Sequence, residues 1–284
     1  MKHIILMIFI LFLLQNSLFA EVSVISPSTV YVDSDTKSFK DSGTINSIYY
    51  SSGTLSYLTE FSYSHTDIRY KYTTQNLVQD EIVFLYSRYF IDHLYKVGIH
   101  TNTTTDTNLQ NGITLIGGYT KWHWFQKKKF NYGVNIYHSY YTNGTDLNEN
   151  NSSVKITQLT FNLGYFTPFK LFSNFVSSKF HYEDAHTYNK NLFAFEMEDI
   201  IYYKSFSFEF KYFFGELQTA VLSNGMIVYN SKDIIKKRYG TTFSYSISSK
   251  ININLSYNQT VVDEYQSINN ITNSSILLNM SYKL

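Results

Sequence analysis

Residues 206–215 read Phe-Ser-Phe-Glu-Phe-Lys-Tyr-Phe-Phe-Gly. Successive side chains of an extended strand point to opposite faces, so Phe206, Phe208, Phe210, Tyr212 and Phe214 share one side, and Ser207, Glu209, Lys211, Phe213 and Gly215 the other. A 3.6-residue helical period would scatter the five aromatics around the axis. Residues 251–258 repeat the pattern, with Ile251, Ile253, Leu255 and Tyr257 against Asn252, Asn254, Ser256 and Asn258. Residues 130–141 set Phe130, Tyr132, Val134 and Ile136 against Asn131, Gly133, Asn135 and Ser139. Such a face is the core of a soluble sandwich, or else the lipid-facing wall of a barrel whose polar face lines a lumen.

The connections choose between these. Short links are expected near 51–53, 92–94, 126–129, 167–169, 204–205 and 248–250, in strict alternation with polar loops near 66–80, 102–111, 142–153, 183–190, 217–236 and 263–273. Short turns at one rim and longer loops at the other mark an all-β fold, a transmembrane antiparallel up-and-down barrel. Twelve segments alternate clearly, and the weaker stretches 28–34 and 43–50 raise the count to 14. With both termini at the short-turn rim, the link at 51–53 must follow a strand, which favours 14 over 12. Two positions resist the pattern. Arg88 shares a face with Phe84 and Phe90; a three-residue link at 92–94 turns it inward, whereas a two-residue link leaves it toward lipid, and the inward register is mildly preferred. Asp199 shares a face with Phe195, Met197 and Ile201, for which a local bulge is the only account.

Only 16% of the 284 residues are charged and 18% are aromatic, including 27 Tyr and 23 Phe. An ordinary soluble domain carries about 25% charged residues. No cysteine is present, which removes disulfides, thiolate metal sites, a thiol nucleophile and a lipidated cysteine anchor. Ahead of the pattern, Lys2 precedes the apolar run Ile4–Leu14, and Ala20 offers a cleavage point. This reads as a signal peptide over 1–20 with the barrel over 21–284. The apolar run is half the length of roughly 20 residues that a membrane-spanning helix requires. Removing 1–20 takes away Lys2 and no acid, leaving 22 basic and 22 acidic residues, a balance that argues against nucleic acid as a partner.

Three features together resemble the bacterial outer-membrane β-barrel superfamily, porin-like in character: the leader, the alternating connections and the last strand. That strand carries Ile276, Leu278, Met280, Tyr282 and Leu284 at every second position to the chain end, with Leu284 where an aromatic is usual. It is similar to the C-terminal insertion signal that the barrel-assembly machinery reads. The resemblance implies the bacterial outer membrane as location, with its lipids and that machinery as partners.

Catalytic constellations are absent from the pattern. His138 and Ser139 are adjacent, so their side chains point to opposite faces and no imidazole reaches the hydroxyl, as a lipolytic site of the outer-membrane type would need. His138 and Tyr140 read as part of an outer aromatic girdle, and Asn143-Gly144 as a loop turn. His100 and His181 face the lumen from separate strands, and no histidine pair has metal-ligand spacing, so no metal, cofactor or enzymatic role is expected. Trp122 and Trp124 read as membrane-interface anchors. Within 217–236, Ala220–Leu222 and Met226–Val228 flank Asn224-Gly225, which predicts a type I′ hairpin that extends the wall or folds into the lumen as a constriction. A two-residue turn at Lys204-Ser205 sets Glu198 opposite Lys211, and Lys179, His181, Glu196, Glu198, Glu209 and Lys211 then form a lumen charge patch. The expected function is passive or weakly selective passage of small hydrophilic solutes. The alternatives are a surface-interaction barrel, adhesive or structural, with a closed lumen, and, behind it, an outer-membrane lipolytic enzyme.

Deleting Tyr282–Leu284 should abolish insertion while Leu284→Phe is tolerated or improves it, as measured by protein in outer-membrane fractions. Normal membrane levels of the deletion would refute the role given to this strand.

Overall fold

The computed structural model describes residues 22–72, 76–105, 111–125, 128–145, 151–185, 190–218, 220–229, 233–264 and 270–284. The expected leader, 1–20, lies outside the described residues. The strands are β1 (Val22–Ser34), β2 (Lys40–Gly53), β3 (Tyr57–Tyr70), β4 (Asn76–Phe90), β5 (His93–Thr104), β6 (Asn111–Phe125), β7 (Lys128–Thr145) and β8 (Asn151–Pro168). They continue with β9 (Ser173–Ala185), β10 (Lys190–Tyr203), β11 (Phe206–Leu217), β12 (Val221–Leu222), β13 (Ile227–Val228), β14 (Ile234–Ser246), β15 (Ile251–Asp263) and β16 (Asn270–Lys283). Fourteen of these, all but β12 and β13, close into one antiparallel up-and-down barrel. The weak stretches 28–34 and 43–50 are the inner parts of β1 and β2. Closure is made by β1 on β16, in register from Val24↔Lys283 to Ser34↔Asn273, and the Leu284 N–H donates to the Ser23 carbonyl at 2.9 Å.

Alternation sorts the side chains as the pleat requires. Val97, Leu115, Phe214 and Leu278 are 54–59% exposed on the outer surface, whereas Leu85 and Phe213, on the lumen side, are at most 2% exposed. So broad an apolar outer surface suits a lipid surround. Aromatic pairs fill the outer short-turn rim, including Phe206 against Tyr245 at 4.8 Å and His123 against Tyr132 at 5.6 Å.

Arg88 is on this outer face, a correction to the inward register expected for it. The turn is the two-residue Ile91-Asp92, Arg88 pairs with Tyr95, and its guanidinium lies 5.4 Å from the Phe90 ring centroid. Close to an interface, an outward Arg costs only about 0–1 kcal/mol, against roughly 2–4 at the bilayer midplane, so the tighter turn decides the register. Asp199 needs no bulge. The β10–β11 register runs unbroken from Ala194↔Gly215 to Tyr203↔Phe206, and Asn174 Nδ2 donates to Asp199 Oδ1 at 2.5 Å.

Both described chain ends and six connections of two to four residues lie at one rim, the short-turn rim. At the other, connections are four to six residues except for the 16 between β11 and β14. The expected long loops near 66–80 and 142–153 are therefore mostly strand, and that near 102–111 is strand at 102–104 and 111. Asn143-Gly144 is part of β7, beside a register shift, rather than a loop turn. The physical reason is height. Strands of 12–18 residues exceed the roughly 9–11 that cross hydrocarbon. Their upper ends stand in water and carry polar residues on both faces, as Thr101, Asn102, Thr103 and Thr104 do, which erases the alternation there.

Ile91, at the first position of its turn, has φ 52°. The left-handed region costs an L residue with a Cβ about 1–2 kcal/mol, and a β-branched one has no compensation there. Ile91→Asn should stabilise the folded barrel by about 1 kcal/mol, read as a higher urea midpoint. An unchanged or lower midpoint would contradict the turn geometry.

Candidate functional site

The lumen is crossed by the β12–β13 hairpin. Val221 pairs with Val228 and Leu222 with Ile227, and the turn between them is type I′, with Asn224 at φ 57°, ψ 33° and Gly225 at φ 99°. The Met226 N–H donates to the Ser223 carbonyl at 3.3 Å. Of the two placements open from the sequence, the hairpin takes the inner one.

Its two faces meet two sides of the barrel. Leu222 and Ala220 pack with Phe213 and Leu217 of β11, Ile235 of β14 and Val262 of β15. Val221 and Val228 pack with Val83 and Leu85 of β4, Ile116 of β6 and Tyr137 of β7. In the circular strand order these walls face each other across the lumen. The Gly225 tip fits against Ile116, where a Cβ at 225 would crowd that side chain.

The hairpin backbone is held as a further strand edge would be. The Val221 N–H donates to Gln158 Oε1 at 2.8 Å, and Gln158 Nε2 donates to the Val221 carbonyl at 2.9 Å. Gln158 is 1% exposed and also lies 3.3 Å from His181 Nδ1, which itself is 3.0 Å from Thr160 Oγ1. Higher on the same wall, Glu183 Oε1 and Oε2 each accept from the Gln218 N–H at 3.3 Å.

Toward the short-turn rim, below the tip, a cavity of about 200 Å³ remains. Lys96 of β5, Thr120 and Trp122 of β6, Asn131 and Asn135 of β7 and Asn162 of β8 line one side of it. Ser177 and Lys179 of β9, Glu198 of β10 and Asn224 of the hairpin tip add to it, with apolar lining from Leu94, Leu163 and Phe175.

The structure places Lys179, Glu196, Glu198, Glu209 and Lys211 on adjacent lumen-facing rungs and pairs them. Lys179 Nζ is 2.5 Å from Glu196 Oε1, and Lys211 Nζ is 2.8 Å from Glu209 Oε1 and 3.3 Å from Glu198 Oε1. Ser177 Oγ donates to Glu198 Oε2 at 3.0 Å. Glu198 stands opposite Lys211 in the ladder, in the register set by the Lys204-Ser205 turn. His181, one rung above Lys179, sits in the hairpin seat, with its ring centroid 6.1 Å from that of Phe213.

Trp122 is a correction. It lines the lumen cavity instead of anchoring at the outer interface, because it shares parity with Thr114, Gly118 and Thr120, while Tyr119 and His123 face outward. That parity is readable in the sequence, although tryptophan's affinity for headgroup depth points the other way. Trp124 shares the inward parity, and its side chain lies outside the described residues. Ile276, Leu278, Met280, Tyr282 and Leu284 all face outward, 37–60% exposed. His138 and Ser139 face opposite ways: His138 Nδ1 is 3.0 Å from Thr157 Oγ1 outside, and Ser139 Oγ is 2.8 Å from Thr114 Oγ1 inside. Among the described residues no group of three His, Asp or Glu side chains is placed to hold a metal. Lys96, Gln158 and the apolar seat were not singled out from sequence.

No family model matches the chain, and no curated protein matches its sequence. Among solved structures, the CymD monoaromatic hydrocarbon channel superposes with TM-score 0.56 at 10% identity, over 94% of this chain and 89% of its own. The Ralstonia pickettii toluene transporter TbuX gives 0.55 at 9% identity, over 94% and 90%. The Pseudomonas putida toluene transporter TodX gives 0.53 at 8%, over 93% and 89%. Identities this low speak to fold alone, and the shared fold is the closed antiparallel up-and-down β-barrel.

Gln158→Leu keeps the volume but leaves both backbone groups of Val221 without their partner, at about 1–3 kcal/mol. Amide hydrogen exchange of a peptide containing Val221 should accelerate about ten- to a hundredfold. Unchanged exchange would show that the hairpin is not held by Gln158.

Proposed function

We propose that a chain with this fold is an outer-membrane channel for small hydrophilic solutes, whose lumen its own β12–β13 hairpin occludes. One observation carries the reading. The occlusion comes from a connecting segment seated against the wall, while the wall itself encloses a cavity of mixed polar and apolar lining rather than a packed core. Removing that segment would leave a lumen with the apolar seat in its upper part and amides, hydroxyls and paired charges below. Passage requires no catalytic residue, and the comparison structures are described as a channel and as transporters. The belt of exposed apolar side chains supports a bacterial outer-membrane location, with export through a leader cleaved near Ala20. Membrane lipids, the barrel-assembly machinery acting on β16 and small solutes are the partners this reading implies.

A second reading has support of its own. Val221, Leu222 and Val228 are at most 5% exposed. Each such burial contributes about 1.5–3 kcal/mol, so a docked hairpin is strongly favoured and a permanently closed, surface-interacting barrel fits the same packing.

Planar-bilayer recording separates the two. Replacing Ala220–Tyr229 with a short Gly-Ser linker should raise conductance several-fold over the parent protein. In that open form Lys211→Glu should move the reversal potential toward cations, most at low salt where screening is weak. Absence of channel steps from the folded, linker-bearing barrel would overturn the channel reading and leave the closed one.

A further inference from the structure

The cavity beneath the hairpin tip is lined by three charged side chains, Lys96, Lys179 and Glu198. Lys179 is held by Glu196, and Glu198 by Lys211 and Ser177. Lys96 lines the same space and makes no ion pair among the described residues. The acidic group that acts on it, Glu60, accepts from the Tyr49 hydroxyl at 2.8 Å. An ammonium on a half-enclosed wall with no ion pair of its own presents its three N–H donors to whatever occupies the cavity.

Around Lys96 stand three amides with no hydrogen bond among the described residues. Asn131 and Asn135 are 5% and 7% exposed, and Asn162 Oδ1 is fully buried without a partner. Buried amides normally find partners, and each has two donors and an acceptor to offer. Three converging on one cavity describe a surface waiting for a ligand with several hydroxyl groups. Trp122 turns its indole into the same space. In a water-filled lumen its flat apolar face suits the C–H side of a polyhydroxylated chain or ring, while its N–H remains a donor.

We infer that this cavity is a binding subsite for a small polyhydroxylated carboxylate, with Lys96 taking the carboxylate, Asn131, Asn135 and Asn162 the hydroxyls and Trp122 the carbon skeleton. The cavity, at about 200 Å³, exceeds the roughly 150 Å³ that holds benzene, and it is open on one side, so a longer molecule extends from it into the lumen. Asn224 at the hairpin tip borders the same space, so a bound solute touches the occluding segment. The inference names a solute class for the channel proposed above and rests on that reading.

Trp122 makes the site observable without any measurement of current. The chain has 2 tryptophans, so Trp124→Phe leaves Trp122 as the sole indole. Titrating the folded, detergent-solubilised variant with potassium gluconate should shift its emission saturably. Glucose should bind at least tenfold more weakly, and potassium chloride at matched ionic strength should give no saturable shift. Adding Lys96→Gln should raise the apparent Kd for gluconate at least tenfold, and a heat-modifiable gel band confirms that each variant is folded. Gluconate indistinguishable from chloride, or unaffected by Lys96→Gln, would overturn the subsite. The conductance of the linker-bearing barrel is independent of this titration, so failure here is distinguishable from failure of the channel reading.

Discussion

A backbone amide inside hydrocarbon has no water to turn to, so every strand needs a neighbour on each side. That requirement makes the pairing of β1 with β16 the contact on which the rest depends. Were it absent, two strands would present their open edges to lipid, each unsatisfied group costing several kcal/mol. Once the sheet is closed, lipid dictates every second side chain over the crossing segment, and the remaining half of the sequence is free to build an interior. The outward run from Ile276 to Leu284 is the part of the first set that also completes the closure.

The interior is divided by height. In its upper part, apolar side chains on the lumen face make a seat for the β12–β13 hairpin, so a segment that connects two strands closes the space between facing walls. Below the tip the same face changes to lysines, carboxylates, amides and hydroxyls around a cavity. Hydrophobic burial and the paired bonds to Gln158 hold the hairpin, and both are reversible contacts between a loop and a wall. An occlusion built of wall side chains would instead have to be dismantled by breaking the barrel's own packing.

The fold was legible because lipid imposes a strict period of two. Residues 206–215 carry it, and the Lys204-Ser205 turn transmits it to β10 with Glu198 opposite Lys211. The Asn224-Gly225 signal for a hairpin also held, since only a few residue types tolerate its positive φ values. Legibility failed where lipid does not act. Strand ends in water carry polar residues on both faces and read as loops. On the lumen side Phe213, Leu85, Ile116 and Tyr137 interrupt the polar face, and their purpose is visible only when the hairpin is in place. Apolar residues of lumen parity are thus a usable sign of a plug, and they are scattered over strands that no local pattern brings together. Trp122 and Arg88 show that parity and turn length are better guides to facing than residue type.

The central claim is that the hairpin in the lumen controls passage, and the absence of cysteine allows it to be tested in a single molecule. A Cβ at 225 would meet the Ile116 side chain, so the Gly225→Cys/Ile116→Cys double variant places a disulfide between tip and wall. Bilayer conductance of the oxidised protein, followed through reduction in place, is the most direct measurement. The account predicts little or no current while the disulfide is intact and reversible opening when it is reduced. Equal current in both states, with the disulfide verified by mass, would contradict it.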